Sequence, residues 1–337
     1  MRIFYIGTSG LALGKNPTTI DTLSKLLEIN YDLYLVGVGR NFRRAIGYLR
    51  FPFRWNLGGA PLIVDVYSTR AFNYFLFASV VGLVRGMRLM PIIHGGEIEK
   101  RLRGSCILSS YFFSRAEVII CPSSYMSELF HKYGHFNTLV IPNPLDIEDY
   151  VFKSREAKNL NILWLRALDT HYNVEMSLSV VAELKFIYGQ DCHLHIVGPD
   201  KIGMLQKLKE SCFRLNIQDN VTFYGYCKKS DWISISEKCS YFINTSNVDN
   251  APVSVKEAMA LGLVVVSTDP GGLSHIVDHQ SDGILVPVND STNMTNEIFK
   301  LTQSPDRFKT ISINARAKVL LSSSGHVSDC WVEILGR

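Results

Sequence analysis

Short runs of aliphatic and β-branched residues alternate with longer stretches of helical period along the whole chain. In the first half the apolar runs fall at 2–7, 31–38, 62–66, 89–93, 118–121 and 139–142. Runs of this length, bounded by turn residues, read as strands buried on both faces. Between them, apolar positions recurring every three or four residues predict helices over 18–27, 72–85 and 124–133. Ser123 or Ser124 is placed to cap the last of these, with Glu128 in the next turn. The stretch Pro142-Asn143-Pro144-Leu145-Asp146 then ends a strand, and residues 147–159 are polar enough for a linker. The alternation resumes with strands at 160–165, 193–197, 221–224, 241–245, 263–268 and 283–286. Helices are expected at 173–188, 204–215, 232–238, 271–277, 292–302 and 305–321.

This pattern predicts an α/β protein of two Rossmann-like domains, each a doubly wound parallel sheet, at 1–150 and 151–321. In the tail, 322–337, His326, Val327, Cys330, Trp331 and Ile334 recur at helical spacing, and this last helix is expected to pack back on the first domain. Two such domains are expected to face each other across a cleft. Ligands of open parallel sheets sit at the carboxyl ends of the strands.

Composition changes this picture little. A hydrophobic fraction of 47% and a charged fraction of 20% are globular values, enough for two cores. The longest apolar run, 71–84, holds Asn73 and Ser79 and stops at Arg85, so it reads as a buried helix too short to span a bilayer. The first residues read as a strand and not as a secretion signal. The seven cysteines form no CxxC pair, which suits reduced thiols in a cytoplasmic protein. Charge is uneven: residues 1–150 are net +5 and residues 151–337 net −1. No acid lies between Asp32 and Asp65, where Arg40, Arg43, Arg44, Arg50 and Arg54 alternate with aromatic and aliphatic residues. That composition suits an anionic membrane surface, and we expect peripheral attachment to the inner face of the cytoplasmic membrane. Nucleic acid would favour similar residues, but it is not an expected partner; a solvated arginine face is the simpler alternative.

The candidate chemistry lies at strand ends. Asp249 and Glu257 flank a loop-to-helix junction just before the buried run 263–268. A helix N-terminus there offers free N–H groups to an anion, and the two acids can accept hydrogen bonds from hydroxyls. A helix cap and a solvated glutamate are the alternative. Arg166 follows directly on the strand 160–165, where a permanent cation can neutralise a diphosphate, and His171 comes five residues later. His94, followed by Gly95 and Gly96, ends the strand 89–93, where glycines let backbone approach a ligand. Gly7-Thr8-Ser9-Gly10 and Gly14-Lys15-Asn16-Pro17 follow the first strand without GxGxxG spacing, and no acid ends the second strand, so a redox dinucleotide is not expected. The chain has no phosphate loop of the GxxxxGK[ST] type, no GxSxG elbow and no Asp-x-Asp after a strand. Neither cofactor nor metal is expected.

These segments, in this order, resemble the family 4 retaining glycosyltransferases of the GT-B fold. The family signature is Glu, seven residues, Glu, then Ala-Met-Ala-x-Gly. Here it stands as Asp249, seven residues, Glu257-Ala258-Met259-Ala260-Leu261-Gly262. Further similar segments are Val197-Gly198-Pro199-Asp200, Val221 to Tyr226, Ser267 to Gly272, Gly283 to Pro287, His94-Gly95-Gly96, Pro122-Ser123-Ser124 and Ile141 to Asp146. The resemblance implies that Glu257 binds the ribose hydroxyls of a nucleotide and Asp249 the hydroxyls of a donor sugar. The backbone of Asn250, Ala251, Pro252 and Val253 would lie along the diphosphate, which Arg166 would bind with help from His171. Gly198, Tyr224 and Tyr226 would border the base, Gly14 the phosphates, and His94 the donor sugar and acceptor.

The chain departs from the family at Asp249, usually Glu; at His171, often Lys; at His275, often Glu; and at the Gly14 loop, usually Gly-Gly. The expected activity is transfer of a sugar from a nucleoside diphosphate donor, UDP in the first instance, to a hydroxyl of a glycan or lipid-linked glycan. A subunit of the same fold that binds nucleotide-sugar or glycan without turnover remains the alternative, and a nucleotide-sugar epimerase is a third.

Overall fold

The computed structural model describes residues 1–13, 18–36, 58–68, 72–94, 98–104, 106–249 and 252–336. The chain divides into two compact units, 1–145 with 321–337, and 146–320. The boundary therefore lies before the polar stretch and not within it, a correction to the division at 150. The reason is visible in the hydrogen bonds. The amide of Leu145 donates to the carbonyl of Ser322 in the first unit, whereas Tyr150 bonds Glu257 in the second.

The first unit holds strands β1 (Arg2–Ile6), β2 (Asp32–Val36), β3 (Pro61–Tyr67), β4 (Arg88–His94), β5 (Ile119–Cys121) and β6 (Thr138–Val140). They form one parallel sheet in the order β2-β1-β3-β4-β5-β6. The helices between them are α1 (Thr19–Leu27), α2 (Phe72–Val84), α3 (Ile98–Gly104), α4 (Cys106–Phe113) and α5 (Ser124–Lys132). The pair α3 and α4 carried no periodic signal strong enough to expect them. Ser123 caps α5 by accepting from the amide of Met126.

The second unit holds β7 (Asn161–Leu165), β8 (His193–Val197), β9 (Val221–Gly225), β10 (Tyr241–Asn244), β11 (Val264–Thr268) and β12 (Ile284–Val286), all parallel, in the order β12-β11-β10-β7-β8-β9. Its helices are α6 (Val174–Phe186), α7 (Leu205–Arg214), α8 (Lys229–Ser236), α9 (Val253–Ala260), α10 (Ser291–Thr302) and α11 (Pro305–Leu320). The helix expected over 271–277 is only a 3-10 turn, Leu273–His275. There the Asp269 carboxylate accepts from the amides of Gly271 and Ser274 and holds a turn in place of a helix start.

The last helix, α12 (Ser324–Leu335), belongs to the first unit. Its Val327, Trp331, Ile334 and Leu335 bury in one cluster with Leu23 of α1 and with Ile3, Tyr5, Ile63 and Met90 on one face of the first sheet. Each such side chain contributes about 1.5–3 kcal/mol. The other face packs under α2 to α5 through Phe75, Phe113 and Phe130. The second core is built around Trp164, Leu194, Ile243 and Val266. Among the described residues no helix is long and apolar enough to cross a membrane.

In both sheets the winding reverses next to the first strand of the unit: between β1 and β3, and between β7 and β10. At such a switch point the loops that follow the two central strands run apart and leave a crevice.

Candidate functional site

The switch point of the second sheet brings Arg166 and Asp249 together. Arg166 is the residue directly after β7, and the loop after β10 carries Asp249. The guanidinium Nη2 of Arg166 donates to Asp249 Oδ2. Its face lies 4.7 Å from the ring centre of Tyr172, a cation–π contact that fixes the plane of the fork. Nε of Arg166 is buried without a partner. Gly198 explains why the strand end can be so tight: a Cβ there would come within 1.7 Å of the Arg166 carbonyl oxygen, and its φ is +149°. The Arg166 amide in turn donates to the Val197 carbonyl at 3.0 Å. Gly198 therefore seats Arg166 at the end of β7.

Beneath Asp249 the β10 loop is locked by buried polar pairs. Asn244 Nδ2 donates to Ser267 Oγ at 2.9 Å, and Ser246 Oγ to Asn244 Oδ1 at 2.7 Å. Thr268 Oγ1 donates to the Ser246 carbonyl at 2.7 Å. Trp164 Nε1 donates to Thr245 Oγ1 at 3.0 Å, which passes a hydrogen bond to the Tyr172 carbonyl. A fully paired network of this kind holds a site in one geometry before ligand arrives.

The same loop leads into α9. Its N-cap is Pro252, with no side-chain cap, and Val253 opens the helix on the surface. The Val255 amide donates to the Pro252 carbonyl at 3.2 Å, and no side chain caps the amides before it, as at anion-binding helix ends. Glu257 follows in the second turn, where Tyr150 Oη donates to its Oε1 at 2.5 Å. Burial raises the Glu257 pKa, against the Tyr150 hydrogen bond and the nearby Lys229 and Arg166 cations, which lower it. Arg166 therefore acts on both acids, and the three groups share one end of the second sheet. Asn250, Ala251 and Gly14 lie outside the described residues, as do Gly95, Gly96 and the arginine-rich stretch from Arg40 to Arg54.

The other expected residues have the following surroundings. His171 sits on an exposed 3-10 turn with its Nδ1 2.6 Å from Asp169 Oδ1, and no hydrogen bond or ion pair joins it to Arg166, Asp249 or Glu257. The hydroxyl of Tyr224 is engaged by His195 Nδ1 at 2.9 Å on the face of the sheet. Tyr226, one residue past β9, is exposed.

In the first unit His94 is the last residue of β4, and it is buried. Its Nε2 lies 2.9 Å from Asp65 Oδ1, which also accepts from Tyr5 Oη at 3.0 Å. The ring stacks on Tyr67 at 4.9 Å. A carboxylate at Nε2 favours a proton on that nitrogen. Asp65 is 5% exposed and its Oδ2 has no partner. Sequence reasoning passed over Asp65, although a lone acid inside the apolar run Leu62-Ile63-Val64-Asp65-Val66 was a usable signal. It also missed Tyr150, Tyr172 and Lys229, for which no local pattern gave notice. Among the described residues, no group of three His, Cys, Asp or Glu side chains is arranged to hold a metal ion.

Comparison with known proteins fits this arrangement. The chain is 25% identical over 128 residues to the amylovoran biosynthesis glycosyltransferase AmsK of Erwinia amylovora, a match over 36% of this chain and 31% of that one. It is 26% identical over 142 residues to the N-acetyl-alpha-D-glucosaminyl L-malate synthase of Bacillus anthracis, over 42% of this chain and 36% of that one. The matches thus span about a third of each relative's length. The crystal structure of Anabaena HepE in complex with UDP covers the whole of both chains at 17% identity, with a TM-score of 0.74. Likeness at that identity establishes the fold, which is GT-B. The model of the family described as glycosyl transferases group 1 matches residues 146–318, more than half of the chain and nearly all of the unit that carries Arg166, Asp249 and Glu257. The chain belongs to the glycosyl transferases group 1 family.

Proposed function

We propose that this protein is a retaining glycosyltransferase of family 4 that moves a hexose-type sugar from a UDP-sugar to a hydroxyl of a glycan or lipid-linked glycan, without a resident metal. The observation that carries the reading is the meeting of Arg166, Asp249 and Glu257 beside the uncapped start of α9, at the switch point of the second sheet. One cation, a helix start without a side-chain cap and two acids supply what a diphosphate, a sugar and a ribose need. The UDP held by HepE and the polysaccharide role of AmsK support the choice of donor and acceptor class.

On this reading the diphosphate displaces Asp249 from Arg166, and Asp249 turns to the sugar hydroxyls. The C1–O bond breaks as Arg166 and the α9 amides take up charge on the departing diphosphate. The acceptor oxygen then attacks C1 from the same face and gives its proton to a departing phosphate oxygen. No side chain acts as a strong base; His94 orients sugar and acceptor through Nδ1. The protein works at the inner face of the cytoplasmic membrane, drawn there by its arginine-rich stretch.

The second reading, a binding subunit without turnover, draws on one observation: His171, at the place of the family's usual lysine, is committed to Asp169. Incubating the protein with UDP-glucose, UDP-galactose and UDP-N-acetylglucosamine, with EDTA and a panel of glycan acceptors, separates the two. Release of UDP that Glu257→Ala lowers about 10–100-fold is expected from loss of a charged hydrogen-bond acceptor. Tight UDP binding with no turnover of any donor would favour the binding subunit.

A further inference from the structure

The geometry points to Tyr150 as a positioning residue for nucleotide binding: by donating its hydroxyl to Glu257 Oε1 it keeps that carboxylate ionised and aimed at the ribose. The inference rests on the proposal that Glu257 holds ribose hydroxyls, and it adds a residue that itself touches no nucleotide. Tyr150 is 1% exposed, so its phenol cannot reach a ligand directly. Among the described residues it is the only side chain hydrogen-bonded to Glu257. One oxygen is thereby fixed, and the other, with the remaining lone pair of Oε1, stays open to a pair of hydroxyls.

Tyr150 is itself held firmly. Its carbonyl accepts from Arg316 Nη1 at 2.9 Å, and the same nitrogen donates to the Ala260 carbonyl at 2.7 Å, at the far end of α9. Lys229 Nζ lies 4.3 Å from the centre of its ring. Tyr150 is therefore tied to α9 twice, at Glu257 in its second turn and through Arg316 at its last residue. Tyr150 also lies close after the point where the chain enters the second unit, and Arg316 close before the point where it leaves. Both connecting segments are laced to the helix that carries Glu257.

The electrostatics agree. Burial works against an ionised Glu257, and three groups from other elements oppose it: Tyr150, Lys229 of α8 and Arg166 at the end of β7. Each cation has an acid of its own, Lys229 with Asp149 at 2.8 Å and Arg166 with Asp249. The phenol has none. Burial and then the charge of Glu257 push its own ionisation far up, so it remains a donor at every working pH.

The decisive measurement needs no nucleotide. In protein labelled with ¹³C at glutamate Cδ, the signal missing in Glu257→Gln identifies Glu257, and its titration midpoint is read in the wild type, Tyr150→Phe and Lys229→Met. Loss of one hydrogen bond to a carboxylate should raise the midpoint by about one pH unit in Tyr150→Phe, and by less in Lys229→Met. A midpoint unmoved in Tyr150→Phe, with circular dichroism showing the fold intact, overturns the proposal. UDP affinity, measured by calorimetry at pH 7.5 and 5.5, tests the wider reading separately. The Tyr150→Phe deficit should be larger at pH 5.5 than at 7.5, as more Glu257 protonates. Equal UDP affinity in Glu257→Gln and wild type would instead sink the ribose assignment while leaving the shifted midpoint standing.

Discussion

At the carboxyl end of the first sheet a buried acid, Asp65, is shared between an imidazole and a phenol; at the carboxyl end of the second, Asp249 is paired with a guanidinium. Both acids lie beside the strand where the winding reverses. The first is nearly sealed and selects a tautomer of His94. The second is one tenth exposed and pairs with Arg166. The difference matches the two tasks of the proposed reaction, orientation of neutral hydroxyls and capture of a leaving diphosphate. A buried carboxylate beside an imidazole suits the first, while the second needs a cation that can change partners.

The sharpest way to break this comparison is Arg166→Ala. If the second site captures charge in the transition state, kcat/KM for the UDP-sugar should fall about 10²–10³-fold, as when a charge-stabilising donor is removed. A loss confined to KM would mean that Arg166 only binds, and no loss would dissolve the contrast between the two ends.

Acidification probes the polar groups that are purely structural. On the face of the second sheet His195 bonds Tyr224 and Asn161, and its ring packs 4.8 Å from that of His193. Burial, then the neighbouring His193 and Lys238 charges, push the His195 pKa down to about 4. The unfolded chain takes up this proton near pH 6.5 and the folded chain only near 4. The stabilisation is thus complete above about pH 6.5 and is lost as pH falls towards 4, on the order of 3 kcal/mol in all. Urea midpoints measured from pH 7.5 to 4.5 should fall for the wild type and stay flatter for His195→Gln. Parallel curves would show that this imidazole does not govern acid stability.

A smaller effect is expected from Asp65→Asn. Shape is kept, but the anion that fixes the His94 tautomer is gone. Supporting groups of this type typically change activity about 10–100-fold. The loss should fall on kcat, with the donor KM unchanged, since Arg166, Asp249 and Glu257 are untouched. A rise in donor KM alone would move His94 into nucleotide binding and erase the division of labour.

How much of this could be read from the chain alone differs by kind of residue. Arg166 was found because it directly follows an apolar run, and Asp249 and Glu257 because they straddle the entry to a helix. His171 and Tyr224 were named on sequence position, yet both side chains are engaged elsewhere, by Asp169 and His195. Gly198 was singled out correctly as special, but its use, a close pass over the Arg166 carbonyl, needed coordinates. Arg155 was never singled out, although its guanidinium gathers the carbonyls of Ser236, Glu237, Cys239 and Leu261. Nothing local distinguishes that structural arginine from Arg166; only the partners do, four carbonyls in one case and a carboxylate in the other.

The sequence by itself determined the alternation of strands and helices and the residues that stand at strand ends, because side-chain period and helix entry are properties of a few consecutive residues. Strand order was decided only in three dimensions. It sets β7 beside β10, so that Arg166 reaches an acid 83 positions away, and Tyr150 reaches one 107 positions away. Such partners are fixed by which strands pair and which way the chain winds, and no short-range pattern encodes that choice.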